Sequence, residues 1–234
     1  MAYQKVVIND ATLYCGDMTE VIKDLQPVDL IATDNPYPLT AGGKNTGQMK
    51  GIFNPKVYNN NGHICRCDIQ LEDWLPLCYN ILKPDTHAYF FANSKAVFDL
   101  YQFAIKAGFD YHNILPWDKG NKLPNRWYMN CYEFVLLFKK GKAKAIHNCG
   151  DSQKLDFPNP RNKDHPTQKP ISLFYELVSN SSNPNDVVLD PFMGTGACAL
   201  ASLELGRKFI GIEIEEEHFE KTVNKVKNFY ANVS

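Results

Sequence analysis

Short apolar runs alternate with stretches whose apolar positions recur at helical spacing along most of this chain. Residues 11–15, 29–33, 87–92, 111–116, 133–138, 187–189 and 209–212 read as strands, being short, rich in β-branched and aromatic residues, and bounded by polar or glycine positions. Between them, 19–25, 71–82, 95–107 and segments starting at Ile171, running through Ala199 and ending at Lys227 read as helices. The run Phe134-Val135-Leu136-Leu137-Phe138 is apolar at every position, the pattern of a strand buried on both faces. Strand and helix taking turns in this way predicts an α/β domain with a largely parallel sheet and helices on both sides.

Two stretches break the alternation. Residues 38–70 contain Gly42-Gly43, Gly47, Gly51 and Asn59-Asn60-Asn61-Gly62, and residues 147–165 contain Pro158 and Pro160 among several Asn and Asp. Loops of this length in a compact domain tend to carry function. The segments 38–70 and 118–165 are therefore expected to be mobile and to contact the target. At 234 residues, the chain reads as a single domain spanning 1–234.

Composition narrows the class. Hydrophobic residues make up 44% and charged residues 22%, values of an ordinary globular protein. No apolar run approaches the roughly 18 residues of a membrane span, so a cytoplasmic location is expected. Seven cysteines, an odd number without a disulfide-like framework, fit a reducing compartment. His63-Ile64-Cys65-Arg66-Cys67 lacks a second pair at zinc spacing, and no metal is expected there. The formal net charge of −1 excludes a globally basic nucleic-acid binder, so any phosphate contact has to come from local patches. Lys44, Lys50, Lys119, Lys122 and Arg126 are the first candidates; a run of surface lysines is by itself more often a solvated face.

Two motifs carry the chemistry. Asp34-Asn35-Pro36-Tyr37 follows the strand ending at Thr33, and Asp190-Pro191-Phe192-Met193-Gly194-Thr195-Gly196 follows the one ending at Leu189. Both should emerge at carboxyl ends of strands, where open α/β sheets bind their ligands. The glycines allow backbone to approach a small molecule. Glu213 follows Asp190 by 23 positions and closes the next strand, the place where such sheets hold the ribose of a nucleoside cofactor. On this ground alone a nicotinamide dinucleotide remains open, although the third glycine of its fingerprint is missing. In His165-Pro166-Thr167-Gln168-Lys169-Pro170, the proline suits a first helical turn, and Thr167 and Lys169 could hold a carboxylate at the helix start.

In order, Gly16-Asp17, Asp34-Asn35-Pro36-Tyr37, His165 to Pro170, Asp190 to Gly196 and Glu213 resemble the motif series of the β-group of S-adenosylmethionine-dependent DNA amino-methyltransferases. In that group the catalytic motif precedes the cofactor motif, a circularly permuted order. Leu82-Lys83-Pro84, Trp117-Asp118-Lys119 and Tyr132-Glu133-Phe134 are smaller echoes. The resemblance implies a Rossmann-like sheet binding S-adenosylmethionine, with Asp190, Phe192, Gly194, Thr195 and Gly196 around the methionine moiety, Glu213 at the ribose, Asp17 toward the adenine, and Thr167 and Lys169 near the carboxylate. It implies double-stranded DNA as partner, no membrane, and a role in restriction-modification; a homodimer is one assembly open to it. The sequence departs from the family at Asn35, where proline is usual.

Catalysis would fall to Asp34, Asn35, Pro36 and Tyr37. A base's exocyclic amino group is a poor nucleophile because its lone pair is delocalised into the ring. Two acceptors, the Asp34 carboxylate and the Asn35 carbonyl, can draw that nitrogen toward tetrahedral geometry, while Pro36 stiffens the loop and Tyr37 stacks on a flipped base. Relatives whose motif starts with Asp resemble adenine enzymes, so adenine N6 is the expected target. Cytosine N4, the amide of a protein glutamine, and an inactive DNA-binding relative are the alternatives.

Overall fold

The computed structural model describes residues 3–37, 69–123, 128–159 and 169–233, excepting the side chains of 121–123 and 233. In chain order the elements are β1 (Gln4–Ile8), β2 (Ala11–Cys15), α1 (Met18–Val21) with a 3₁₀ turn at Ile22–Asp24, β3 (Val28–Thr33), α2 (Leu71–Ile81), β4 (Leu82–Ala92) and α3 (Val97–Ala107). Then follow β5 (Asp110–Leu123), β6 (Asn130–Lys140), β7 (Leu155–Asp156), α4 (Ile171–Ser181), β8 (Val187–Asp190), α5 (Ala197–Glu204), β9 (Lys208–Glu213) and α6 (Glu216–Val233).

Among the described residues the strands form one sheet in the order β1-β2-β9-β8-β3-β4-β6-β5-β7. Its centre, β2-β9-β8-β3-β4, is parallel. β1 is antiparallel to β2, and β6 is antiparallel to both β4 and β5. The sheet is thus mixed, with the expected parallel part at its heart. β6 lies inside it, as its unbroken apolar run requires.

Alternation along the strands builds two cores. From β4, Tyr89 and Phe91 face one side and join Leu173, Phe174 and Leu177 of α4 and Cys198, Ala199 and Ala201 of α5. Ala88, Phe90 and Ala92 face the other and join Trp74 and Leu75 of α2 and Leu100 and Ala104 of α3. Phe90, Phe91, Trp74 and Trp117 are fully buried, each contributing roughly 2–3 kcal/mol of apolar transfer. Small residues in α5 let that helix lie close to β8 and β9.

Three features differ from the sequence reading. β1 escapes it because its side chains are largely exposed, with Val7 60% accessible, so no clean apolar face marks the strand. β5 runs to Leu123 and not to 116, since its far part is held by the pairing of Asp118 and Leu123 to β6, across an irregularity between them, and not by hydrophobicity. The two-residue β7, lying inside the expected loop, pairs beside Trp117 and Asp118.

β3 and β8 decide where the site forms. They are parallel neighbours, with Leu30 opposite Val188 and Ile31 opposite Leu189. Both motif loops therefore leave the sheet side by side, and the end of β9 delivers Glu213 next to them.

Candidate active site

On the β8 side, Gly194 and Gly196 have φ of +51° and +82°, the left-handed region that glycine enters without cost. Gly196 also sits against α6, where an added Cβ would come within 2.7 Å of Thr222 Cγ2. Gly194 is different: a Cβ there would meet nothing within 4 Å, so its surface is open to a ligand. Its N–H donates to Glu213 Oε2 at 2.8 Å, and the Glu215 N–H donates to Oε1 at 2.9 Å. These two bonds lock the carboxylate at the rim with lone pairs to spare. Burial raises its pKa, and the hydrogen bond from Glu215 opposes that.

Asp190 lies beneath this rim. Its Oδ1 accepts from Thr33 Oγ1 at 2.6 Å and from the Phe192 N–H at 3.1 Å. Burial pushes its carboxyl up to about 7, against these hydrogen bonds. Phe192 packs edge-on against Trp74, ring centroids 5.3 Å apart at 83°, which ties the loop to α2. Thr195 is buried, and its carbonyl accepts from Lys225 of α6. Asp17 caps α1, accepting from Thr19 N and Oγ1, both at 2.8 Å, at the end of β2.

On the β3 side, Lys169 Nζ donates to Asp34 Oδ2 at 2.7 Å and to the Tyr37 hydroxyl at 3.3 Å, and lies 3.4 Å from Glu133 Oε2. The Tyr37 hydroxyl donates to that same Glu133 oxygen at 3.1 Å, while Lys119 Nζ donates to Glu133 Oε1 at 3.0 Å. The Lys169 ammonium also lies 5.7 to 5.8 Å from the ring centroids of Tyr37, Phe91 and Trp117. Two carboxylates and two ammoniums are thus paired in a largely closed pocket. Burial opposes the Lys169 charge, but Asp34, Tyr37 and Glu133 outweigh it and hold its pKa well above the usual value. Burial raises Asp34 against the pull of Lys169. Burial would raise Glu133 too, but Lys169 and Lys119 draw it below the ordinary carboxylate range. Burial and the nearby Asp34 charge keep the Tyr37 phenol protonated.

Two acceptors in this loop stand apart. Asp34 Oδ1 is buried and has no hydrogen-bond partner among the described residues, and the same holds for Asn35 Oδ1. Buried acceptors left unmatched are rare and call for a reason.

The structure thus brings together Asp34, Asn35, Tyr37, Asp190 and, one strand on, Glu213. Two residues meet side chains that the sequence reading did not foresee. Lys169, expected at a cofactor carboxylate, faces the Asp34 side, donating to Asp34 Oδ2 and the Tyr37 hydroxyl with Glu133 Oε2 3.4 Å away. Lys119, expected at a DNA phosphate, is 7% exposed and neutralised by Glu133. Glu133, read only as part of an echo in sequence, proves to be the hub of the pocket; a glutamate opening an otherwise apolar strand was the available signal. Thr167, Lys44, Lys50 and Arg126 lie outside the described residues, as do the side chain of Lys122, nearly all of 38–70, and 124–127 and 160–165 of the second segment.

Comparisons with known proteins agree with this geometry. The model of the DNA methylase family, N6_N4_Mtase, matches residues 28–225. The type II methyltransferase M.HpaI of Haemophilus parainfluenzae is 28% identical over 239 residues, covering 90% of this chain and 72% of its own. M.HinfI of Haemophilus influenzae is likewise 28% identical, over 96% of this chain and 71% of its own. The crystal structure of an M1.HpyAVI–SAM complex superposes with a TM-score of 0.69 at 29% identity, covering 92% of this chain and 99% of that one. With the family model spanning both motif loops and the sheet between them, the chain belongs to the DNA methylase family whose members modify amino groups at adenine N6 or cytosine N4.

Proposed function

We propose that this protein methylates the N6 amino group of adenine in double-stranded DNA, with S-adenosylmethionine as donor and the target base flipped out of the duplex. The observation that carries the reading is the divided carboxylate of Asp34: Oδ2 is held by Lys169, while the buried Oδ1 has no partner among the described residues. An amino N–H is the donor such an oxygen lacks, and a carboxylate is the stronger acceptor for a nitrogen that must leave conjugation. The residues present fit the donor as well. The open surface of Gly194, the rim carboxylate of Glu213 and the buried Asp190 suit a nucleoside joined to a cationic amino acid.

When bound, S-adenosylmethionine supplies an electrophilic methyl on sulfur. The chain's own work is to bind, orient and dry. Asp34 Oδ1 and the Asn35 carbonyl accept the two amino hydrogens, and Tyr37, its ring fixed by its hydroxyl contacts, stacks on the base. Orientation and a low-dielectric pocket then lower the barrier to direct displacement, without a covalent enzyme intermediate. The amino nitrogen would gain the methyl carbon as that carbon's bond to sulfur breaks, and the proton the nitrogen then sheds would pass to the Asp34 carboxylate that already accepts it.

Nucleoside digestion and mass spectrometry of DNA treated with the protein and labelled donor tests the reading. N6-methyladenine is expected; N4-methylcytosine as main product would replace adenine, and label in protein instead of DNA would overturn the substrate class. Asp34→Ala should lose transfer while donor binding, followed by calorimetry, persists. Retained turnover would remove Asp34 from catalysis.

A further inference from the structure

We propose that Lys169 and Glu133 are positioning residues that fix Asp34 and Tyr37 together as one rigid clamp, turning a single carboxylate oxygen toward the substrate. The proposal rests on the reading of Asp34 and Tyr37 as base-contacting groups and adds the side chains that aim them. Lys169 precedes α4, Asp34 and Tyr37 follow β3, Glu133 lies on β6 and Lys119 on β5, so four separate parts of the chain meet at one ammonium and one carboxylate.

The geometry gives each contact one task. A free carboxylate rotates about its Cβ–Cγ bond and offers either oxygen. The 2.7 Å bond from Lys169 to Oδ2 stops that rotation and leaves Oδ1 as the presented acceptor. The same ammonium donates to the Tyr37 hydroxyl, which donates in turn to Glu133, so the ring cannot swing without disturbing the ammonium that holds Asp34. Three aromatic rings around the ammonium exclude water and prevent it from following solvent. Glu133 balances a second cation, Lys119, on its other oxygen. Without Glu133, Lys119 would lose the carboxylate it pairs with among the described residues and compete with Lys169 for Asp34, drawing Lys169 off its line.

The charged and titratable groups facing Asp34 are Lys169, Glu133, Tyr37 and, from β8, Asp190, with Lys119 acting through Glu133. Lys169 lowers the pKa of Asp34 and Glu133 raises it. The two positioning residues therefore push the same carboxyl in opposite directions.

The test uses the full chain with Lys169→Met and Glu133→Gln, each checked for donor binding and thermal melting against the unaltered protein. Turnover should fall on the order of 10²-fold in either, the loss typical of a misplaced reacting group, with KM for DNA and donor affinity within about threefold of the unaltered values. The acid limb of kcat against pH should move to higher pH in Lys169→Met and to lower pH in Glu133→Gln. A carbon-13 titration of the Asp34 carboxyl, identified by its absence from Asp34→Asn, should show the same opposite shifts without any turnover. If Lys169→Met does not fold, Glu133→Gln and the charge-retaining Lys169→Arg carry the test, the latter keeping the wild-type acid limb. Unchanged turnover, or limbs moving the same way, overturns the clamp while leaving the methyltransferase reading intact. An unaltered chain that methylates no DNA overturns that reading, and the clamp's purpose with it, even where the titration shifts as expected.

Discussion

At the scale of single residues, the site is a set of buried charges whose balance can be measured. Asp190 is the clearest case, since its folded-state carboxyl at about 7 lies above the roughly 3.9 of an unfolded chain. The folded protein binds more protons between those values, so this group's contribution to stability is present at low pH and lost as pH rises through about 7. If the donor binds as proposed, its positive charge at the ionised carboxylate would reverse the preference. Donor binding at pH 6 is therefore expected to release up to one proton, seen as a binding enthalpy that changes between buffers of different ionisation heat. S-adenosylhomocysteine, lacking the sulfonium charge, should release fewer, and an enthalpy independent of buffer would exclude Asp190 from the donor site. Thr33→Val removes the 2.6 Å bond to Asp190 from a buried pair and should cost about 1–3 kcal/mol in denaturant unfolding. Asp34 and Asp190 were both legible in the sequence because each follows an apolar run. Their partners were not: Lys169 lies 135 positions from Asp34, and nothing local in a lysine says which carboxylate it will meet.

At the scale of elements, the loop after β8 depends on two unlike glycines. Gly196 has both a left-handed backbone and no room beside Thr222, so Gly196→Ala combines conformational strain with a clash. A loss of about 1–3 kcal/mol is expected from the backbone alone, with donor affinity falling alongside melting temperature. Gly194 has the same strain but open space, so Gly194→Ala should weaken donor binding out of proportion to stability. Equal effects on both quantities in the two variants would mean that Gly194 does not face the ligand. Strands and helices of the sheet's centre were legible from apolar period because each has buried faces to declare. β1, the outer half of β5, and β7 are held by pairing to a neighbour already in place, and pairing leaves no mark in local composition. The expectation of a largely parallel sheet holds, five of the eight pairings among the described residues being parallel; the antiparallel pairings of β6 with β4 and β5 were not legible, because apolar strands read alike in either direction.

At the scale of the whole molecule, a chain of net charge −1 must hold DNA through local cations. Lys119 is removed from that account by Glu133, so Lys119→Met should depress turnover yet leave the salt dependence of DNA affinity as it was. Neutralising Lys44, Lys50, Lys122 or Arg126 should instead flatten the slope of log affinity against log salt by about 0.9 for each phosphate that then keeps its counterion. A slope that changes with Lys119 and not with the others would place the DNA face elsewhere. The strand order has a further consequence, for how the molecule comes to exist. β1 and β2 are made first and β3 soon after, yet in the finished sheet β2 and β3 are separated by β9 and β8, which are made last. A growing chain on the ribosome therefore carries two strands with bare edges and a vacancy between them until residue 213 has emerged. Bare edges recruit other chains. A truncated product would lack the middle of its sheet and not an outlying part, and its expected fate is aggregation or degradation before any DNA is touched.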